Sequence, residues 1–302
     1  MDSKLLKNIR HRIEYYTFMG FILVIWLIPL EMVFTISDLL GWFVYSVLRV
    51  RKKVVLANLR VAFPEKSIKE LRHIGLRTYQ NFAKMVFEYS RFPLLKKETI
   101  PDDWEIEGRE HMDWALERGK GVVMVAGHFG NWEYMGAYLA QLGYPIAFLV
   151  GEQHNKLIDD MMNRNRELMG IRIIHMGIAV RGVIKTLRNN GIIALLSDQD
   201  AGRQGVFVNY FGKPSSTHQG PAIFALKTEA PIIFASAIRL PRGRHKMVLE
   251  RLCFDHLDGI ANENIHEATQ AYTTLLENKV REYPDHWFWM HRRWKRKPPE
   301  SQ

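Results

Sequence analysis

The 302-residue chain holds one cysteine, Cys253. No intramolecular disulfide is possible, and a reducing compartment is permitted. There is no G-x-S-x-G nucleophile elbow, and nothing in the sequence around Cys253 would activate its thiol. H-x3-H and C-x2-C spacings are absent, which argues against zinc. Internal repeats, low-complexity segments and nucleic-acid-binding motifs are also lacking. Acidic residues are outnumbered: 42 Lys and Arg stand against 32 Asp and Glu, for a formal charge of +10. An excess of this size favours an anionic partner. A hydrophobic content of 47% and a charged content of 25% are globular values, so wholesale disorder is excluded.

The N-terminus departs from an ordinary soluble domain. Phe18–Leu30 is apolar apart from Gly20 and Pro29, and residues 15–30 carry no charge. Apolar sequence continues past Glu31 to Leu48, broken by Asp38. The stretch is marginal for a single span, which needs about 20 residues. A pair of interfacial helices broken near Pro29 is the alternative, and a buried core helix is the third reading. A cleaved signal peptide fits less well, since the apolar run starts late and no A-x-A-like site follows. Lys4, Lys7, Arg10 and Arg12 precede the run, and Arg49, Arg51, Lys52 and Lys53 follow it. Positive charge on both flanks suits a segment lying on an anionic membrane. Residues 1–50 are therefore expected to anchor the chain.

Residues 51–103 read as a helical lead-in. Ser67 and Glu70 have capping-box spacing after the breaker Phe63-Pro64. Apolar residues then recur at near-helical intervals from Leu71 to Tyr89. Pro93 and Pro101 bracket a linker. From 104 to 302 the pattern becomes α/β. Strands are expected at 122–126, 145–150, 171–175, 192–197, 230–238 and 246–251. Helices are expected near 109–118, 131–142, 156–169, 178–189, 219–228 and 264–282. Short apolar strands alternating with amphipathic helices predict a largely parallel, mixed central sheet flanked by helices.

In such sheets the reactive crevice lies beyond the carboxyl ends of the strands. His128 falls there, after the apolar run Val122–Ala126. Gly127 and Gly130 permit a tight turn, Asn131 is a good N-cap, and Glu133 falls in the first helical turn. There the helix dipole favours an ionised carboxylate. On a continuous helix a spacing of five would splay the two side chains about 140° apart. The turn would let Glu133 reach back to one imidazole nitrogen, fix the tautomer and leave the other nitrogen as a general base. A base and orienter without a nucleophile suit direct transfer: the imidazole takes a proton from a hydroxyl that attacks an activated acyl group. Two other readings stay open. His128 could cap backbone groups, or it could bind zinc with His154 or His175.

His128-Phe-Gly-Asn-Trp-Glu133 matches the H-x4-D/E motif of the lysophospholipid acyltransferase superfamily. The chain resembles its lipid A branch, the lauroyl and myristoyl transferases. Further segments match in order: Asn58-Leu59 with Phe63-Pro64-Glu65, Asn155–Asp159 with Arg164, Arg166 and Gly170, and Leu196–Asp200 with Gly202. Val206–Gly212, Ala230-Pro231 and Phe288–Lys295 complete the set, which covers roughly residues 20–298.

The resemblance implies that His128 is the base and Glu133 its partner. It implies that one of Arg164 and Arg166 stabilises the oxyanion or the donor carbonyl. Arg166 is preferred, because Arg-x3-Gly170 fits the pattern. Gly151 is expected to supply a backbone donor there, and Glu152 a carboxylate. Asp198 and Asp200 would orient an arginine or the acceptor sugar, or serve turn chemistry. Trp287, Trp289 and Trp294 interleave with basic residues, and Arg292, Arg293 and Lys295 are expected to meet lipid phosphates or an acidic carrier protein; a solubilising tail is the alternative.

The implied reaction moves a fatty acyl chain from acyl carrier protein or acyl-CoA to a lipid A precursor or related glycolipid. It would run at the cytoplasmic face of a bacterial inner membrane, with no cofactor and no metal. Mannosylated phosphatidylinositol is an alternative acceptor. A non-catalytic basic protein on a membrane or nucleic acid is the rival from another class.

Overall fold

The structure, a computed structural model, describes residues 3–95, 100, 102, 104–176, 179–254, 256–257 and 259–298, without the side chains of Ser3, Lys4, Leu30, Glu31 and Ala179. Pro101 and Pro299, and the side chains of Lys4 and Glu31, therefore lie outside the described residues.

The first apolar stretch forms two helices, α1 (Ser3–Leu27) and α2 (Leu30–Phe43), separated at Pro29 as the proline requires. The break sits where the sequence placed it. Among the described residues no single helix is long and apolar enough to cross a membrane. Met32–Leu48 and Lys52–Ala62 pass that test only together, bent by 98°. α2 packs along α4 (Ile68–Ser90) closely enough that a Cβ on Gly41 would stand 2.6 Å from the Gln80 Cα. The carbonyls of Ile25, in the last turn of α1, and of Ile28, just past its end, accept from Arg91 at 3.1 and 3.0 Å. Cationic donors suit that end of a helix. Residues 3–50 are thus docked on the helices that follow, although most of the large apolar side chains left exposed among the described residues belong to them.

The helical lead-in divides at Phe63-Pro64 into α3 (Lys52–Ala62) and α4. Ser67 caps α4 with a complete capping box: its hydroxyl accepts from the Glu70 N–H, and the Glu70 carboxylate accepts from the Ser67 N–H at 2.9 Å. α3 also holds the chain's other end. Asn58 donates to the carbonyls of Trp289 and His291 at 2.8 and 2.6 Å.

Seven strands form the main sheet: β1 (Trp104–Glu107), β2 (Val122–Ala126), β3 (Ile146–Val150), β4 (Arg172–His175), β5 (Ile192–Leu196), β8 (Ile232–Arg239) and β9 (His245–Leu252). A separate hairpin pairs β6 (Val206–Tyr210) with β7 (Lys213–Thr217). The sheet order is β1-β9-β8-β2-β5-β3-β4. β8, β2, β5, β3 and β4 are mutually parallel, and β9 joins β8 antiparallel. β1 and the hairpin are the strands that the apolar pattern does not announce. β1 is four residues with two Glu, and β7 is the polar run Lys213–Thr217.

The central strands are apolar on both faces because helices cover both. Val123 and Val125, Ile193 and Leu195, and Ile232 and Phe234 enter one core, with α8 (Ala179–Arg188), α9 (Gly220–Thr228) and α10 (Asn262–Glu282). Their neighbours Met124, Ile192, Ala194 and Ile233 enter the other, with α5 (Arg109–Glu117) and α6 (Trp132–Gln141). α7 (Lys156–Leu168) links β3 to β4.

Candidate active site

β2 and β5 are parallel neighbours, with Ala126 opposite Leu196. Two residues past each partner stand His128 and Asp198, so the register brings them side by side. The carboxylate holds the imidazole: His128 Nδ1 and Asp198 Oδ1 are 2.7 Å apart. Asp198 Oδ2 accepts from the His128 N–H at 2.8 Å and from the Trp287 indole N–H at 2.7 Å. Asp198 is buried, whereas the His128 ring is 22% exposed. With Nδ1 committed to Asp198, Nε2 is the nitrogen left to accept, and the Gln199 side-chain amide donates to it. Nε2 lies 3.3 Å from the Gln199 amide nitrogen and edge-on to Trp132, ring centres 4.9 Å apart.

Burial alone would lower the His128 pKa, but the charge and hydrogen bond of Asp198 outweigh it, and the net shift is upward. For Asp198 burial pushes upward, and the His128 charge and three donated hydrogen bonds prevail, bringing it down to about 2. The two shifts run in opposite directions and have one cause, the ion pair: each partner favours the other's charged form.

The turn that aims His128 depends on Gly130. Its φ is +60°, and a Cβ there would fall 1.7 Å from the Ala237 carbonyl oxygen. Only glycine fits. The Gly130 N–H donates to the His286 carbonyl at 2.9 Å, and Phe288 N–H donates to the His128 carbonyl at 2.9 Å. Asn131 caps α6 by accepting from the Tyr134 N–H at 3.0 Å, while its amide donates to Glu88 at 2.6 Å. Glu88 is itself ion-paired to Arg239.

Glu133 does not reach back to His128. It sits in the first turn of α6 and takes both its hydrogen bonds from Arg166, Nε at 2.9 Å and Nη2 at 2.6 Å. The helix begins at Trp132 and points Glu133 toward α7, so the carboxylate that orients the imidazole is Asp198. Arg166 is correspondingly not free to meet a substrate oxygen. It is buried, forked onto Glu133 and donates Nη1 to Asn163 at 2.9 Å. Arg164, two residues back, is about 200° away around α7. It is exposed and lines a groove against Tyr15, Met19, Ile22 and Trp26 of α1. Gly151 and Glu152 are exposed beyond β3, with β5 standing between that strand and β2.

Asp200 does orient an arginine. Its Oδ2 accepts from Arg296 Nε at 3.2 Å, and its N–H donates to His291 Nε2 at 3.0 Å. Burial lowers the His291 pKa, which suits that neutral, accepting nitrogen. The basic C-terminal segment separates into inner and outer residues. Arg292 and Lys295 are exposed. Arg293 is 1% exposed and donates to the Ser216 carbonyl and the Thr217 hydroxyl, so it cannot meet a lipid phosphate. Trp287 and Trp289 are also buried, and the Trp294 indole donates to the Tyr210 carbonyl at 3.2 Å. These tryptophans are core residues rather than headgroup aromatics. Their spacing among arginines points to the headgroup zone, but the segment threads between α3, the hairpin and the strand ends, which encloses them.

Among the described residues no group of three or more His, Cys, Asp or Glu is arranged to hold a metal ion. His154 accepts from Arg10 at 3.0 Å, and His175 ends β4 exposed. An apolar cavity of about 60 Å³ runs between Met124, Ala126, Met135, Phe148 and Leu196, with the Glu133–Arg166 pair in its wall. A larger cavity of about 400 Å³, beside Trp114 and Cys253, lies by the start of β8, at the far end of the strands from His128.

A family model described as bacterial lipid A biosynthesis acyltransferase matches residues 3–296. The chain is 25% identical over 296 residues to the lipid A biosynthesis lauroyltransferase of Escherichia coli K12, covering 95% of this chain and 94% of that one. It is 20% identical over 281 residues to the palmitoleoyltransferase of the same strain, covering 91% and 90%. A phosphatidylinositol mannoside acyltransferase of Mycobacterium tuberculosis is 26% identical over 226 residues, covering 73% of this chain and 69% of that one.

Proposed function

Since the chain belongs to the bacterial lipid A biosynthesis acyltransferase family and is an acyltransferase, we propose that His128 is the general base that activates the acceptor hydroxyl. The observation that carries this reading is the His128–Asp198 pair at the adjoining ends of β2 and β5, with Nε2 facing the neutral Gln199 amide and no charged partner among the described residues. In the proposed reaction the acceptor oxygen attacks the carbonyl carbon of an acyl thioester while its proton passes to Nε2. The tetrahedral intermediate then collapses, the C–S bond breaks, and the imidazolium returns the proton to the leaving sulfur. Asp198 stabilises the imidazolium between the two steps. The Gln199 amide, beside Nε2, is a donor within reach of the same spot. The thioester is already activated, so positioning, base catalysis and hydrogen bonding suffice for the chemistry.

The donor in this proposal is acyl carrier protein or acyl-CoA, and the acceptor is a hydroxyl of a lipid A precursor. End-to-end coverage of the lauroyltransferase supports that acceptor. The mannoside acyltransferase, at 26% identity, supports a second reading in which another glycolipid is acylated. We place the enzyme at the cytoplasmic face of the inner membrane, held by α1 and α2, because exposed apolar side chains concentrate there beside Arg49, Arg51, Lys52 and Lys53. Mass spectrometry tests the donor, the acceptor and the base together. The purified chain is incubated with lauroyl thioesters of acyl carrier protein and of CoA, and with each glycolipid in turn. A mass increment of one acyl group on a lipid A precursor, lost in His128→Ala, is expected. Acylation of mannosylated phosphatidylinositol alone would select the second acceptor, and transfer that survives in His128→Ala would remove His128 as base.

A further inference from the structure

Asp198 is held from two distant parts of the chain. Oδ1 faces the His128 ring, and Oδ2 receives the His128 N–H and the Trp287 indole N–H at 2.8 and 2.7 Å. Trp287 is 1% exposed and cannot move freely. Its ring stands edge-on to Trp289, centres 4.6 Å apart, and to Tyr210 at 5.5 Å. Its backbone bridges Phe129, and its neighbour Phe288 donates to the His128 carbonyl. One C-terminal segment therefore grips the catalytic turn by its backbone and the orienting carboxylate by a side chain.

We propose that Trp287 is a positioning residue that fixes the plane of Asp198 and, through its indole N–H, moderates the basicity of His128. The proposal rests on the reading of His128 as the base. A buried carboxylate divides its negative charge among its donors. A donor on Oδ2 draws charge from Oδ1 and weakens the pull of Asp198 on the imidazolium. Without that donor the ion pair tightens, the imidazolium holds its proton to higher pH, and less free base remains at neutral pH. Other charged and titratable groups act on the same pair: Glu133 from α6, Tyr210 from β6, His218 after β7, and His291 and Arg293 from the C-terminal segment, while Asp200 beyond β5 acts on the last three. All six stay in place when only the indole N–H is removed, so a comparison at position 287 isolates it.

The test uses the full chain with Trp287 replaced by Phe and, separately, by 3-benzothienylalanine, which keeps the bicyclic shape and lacks the N–H. The His128 ring is followed by NMR through a pH titration, its signal assigned by its loss in His128→Gln. The indole N–H gives Asp198 a charge-assisted hydrogen bond, stronger than one between neutral groups. Only part of that strength distinguishes the two states of His128, so the midpoint should rise by about half to one unit in the benzothienyl variant. The acid limb of kcat/KM should rise with it, and activity should recover at high pH. A midpoint that does not move, or that falls, overturns the proposal even if His128→Ala is inactive. Full turnover in His128→Ala would overturn the base reading instead, while the benzothienyl titration would still report whether Trp287 controls the imidazole. Should Trp287→Phe fail to fold, the shape-preserving variant decides.

Discussion

At the scale of single residues the site consists of two charge pairs with different work. His128 and Asp198 share one, and Glu133 and Arg166 the other. His128→Ala should lower kcat by about 10²–10⁴, the usual contribution of a general base. Because the His128 pKa is raised, the free base accumulates only as pH climbs above the ordinary imidazole range. The acid limb of kcat/KM should therefore have its midpoint above about 6.5. Asp198→Asn removes the charge that raises the pKa, so that midpoint should fall while the maximal rate also drops. A steady-state pH series on both proteins checks the direction. For the second pair, Arg166→Ala strands a buried carboxylate and should destabilise the fold by about 3–5 kcal/mol. Replacing both partners with apolar residues, Glu133→Leu with Arg166→Met, should recover most of that loss in urea unfolding. If Arg166→Ala instead left stability unchanged and lowered only kcat, the guanidinium would belong to the oxyanion chemistry.

At the scale of elements, two local signals illustrate how stability and activity separate. Ser67 caps α4 far from the crevice in an exposed capping box. Ser67→Ala should lower stability by about 1 kcal/mol and leave kcat unchanged. Gly130 lies in the turn between β2 and α6, at positive φ against the Ala237 carbonyl. Gly130→Ala combines left-handed strain with a clash against backbone, so it should destabilise by about 2 kcal/mol or more and displace His128. Chemical denaturation with parallel initial rates distinguishes the two: activity per folded molecule should fall only in Gly130→Ala. α7 carries the other lesson of this scale. Arg164 and Arg166 are two residues apart, and the helix sends one to the α1 groove and the other to Glu133.

At the scale of the whole molecule, apolar exposure is unevenly distributed. Leu23, Val24 and Leu27 are 52%, 58% and 84% exposed on α1, although Ile22 and Ile25 of the same helix are buried. A helix docked on one face and apolar on the other is suited to a lipid surface. Replacing Leu23, Val24 and Leu27 with Ser should weaken binding to anionic vesicles by about 10–100-fold. Turnover on detergent-dispersed acceptor should be retained. Co-flotation at low and high salt measures this, and undiminished binding of the triple variant would locate the membrane contact elsewhere. The basic residues on this side should make residual binding salt-sensitive.

The sequence by itself determined the order and kind of most elements, the break at Pro29, the cap at Ser67, and the place of His128 at the end of a buried strand. These are local properties: periodicity, capping and turn chemistry act over a few neighbouring residues. β1 and β7 escaped because polar residues fill them, and β6, though mostly apolar, because its partner is the polar β7. The partner of His128 was beyond reach for another reason. β5 inserts between β2 and β3, and only that strand order sets Asp198, 70 residues away, beside the imidazole. The same holds for Arg166 on Glu133 and for Trp287 on Asp198. Periodicity shows that a strand is buried on both faces, but not which strands lie beside it. Burial then decided what charge could not: Arg292 and Arg293 are adjacent and alike in sequence, and the tertiary fold turned one outward and enclosed the other among carbonyl oxygens.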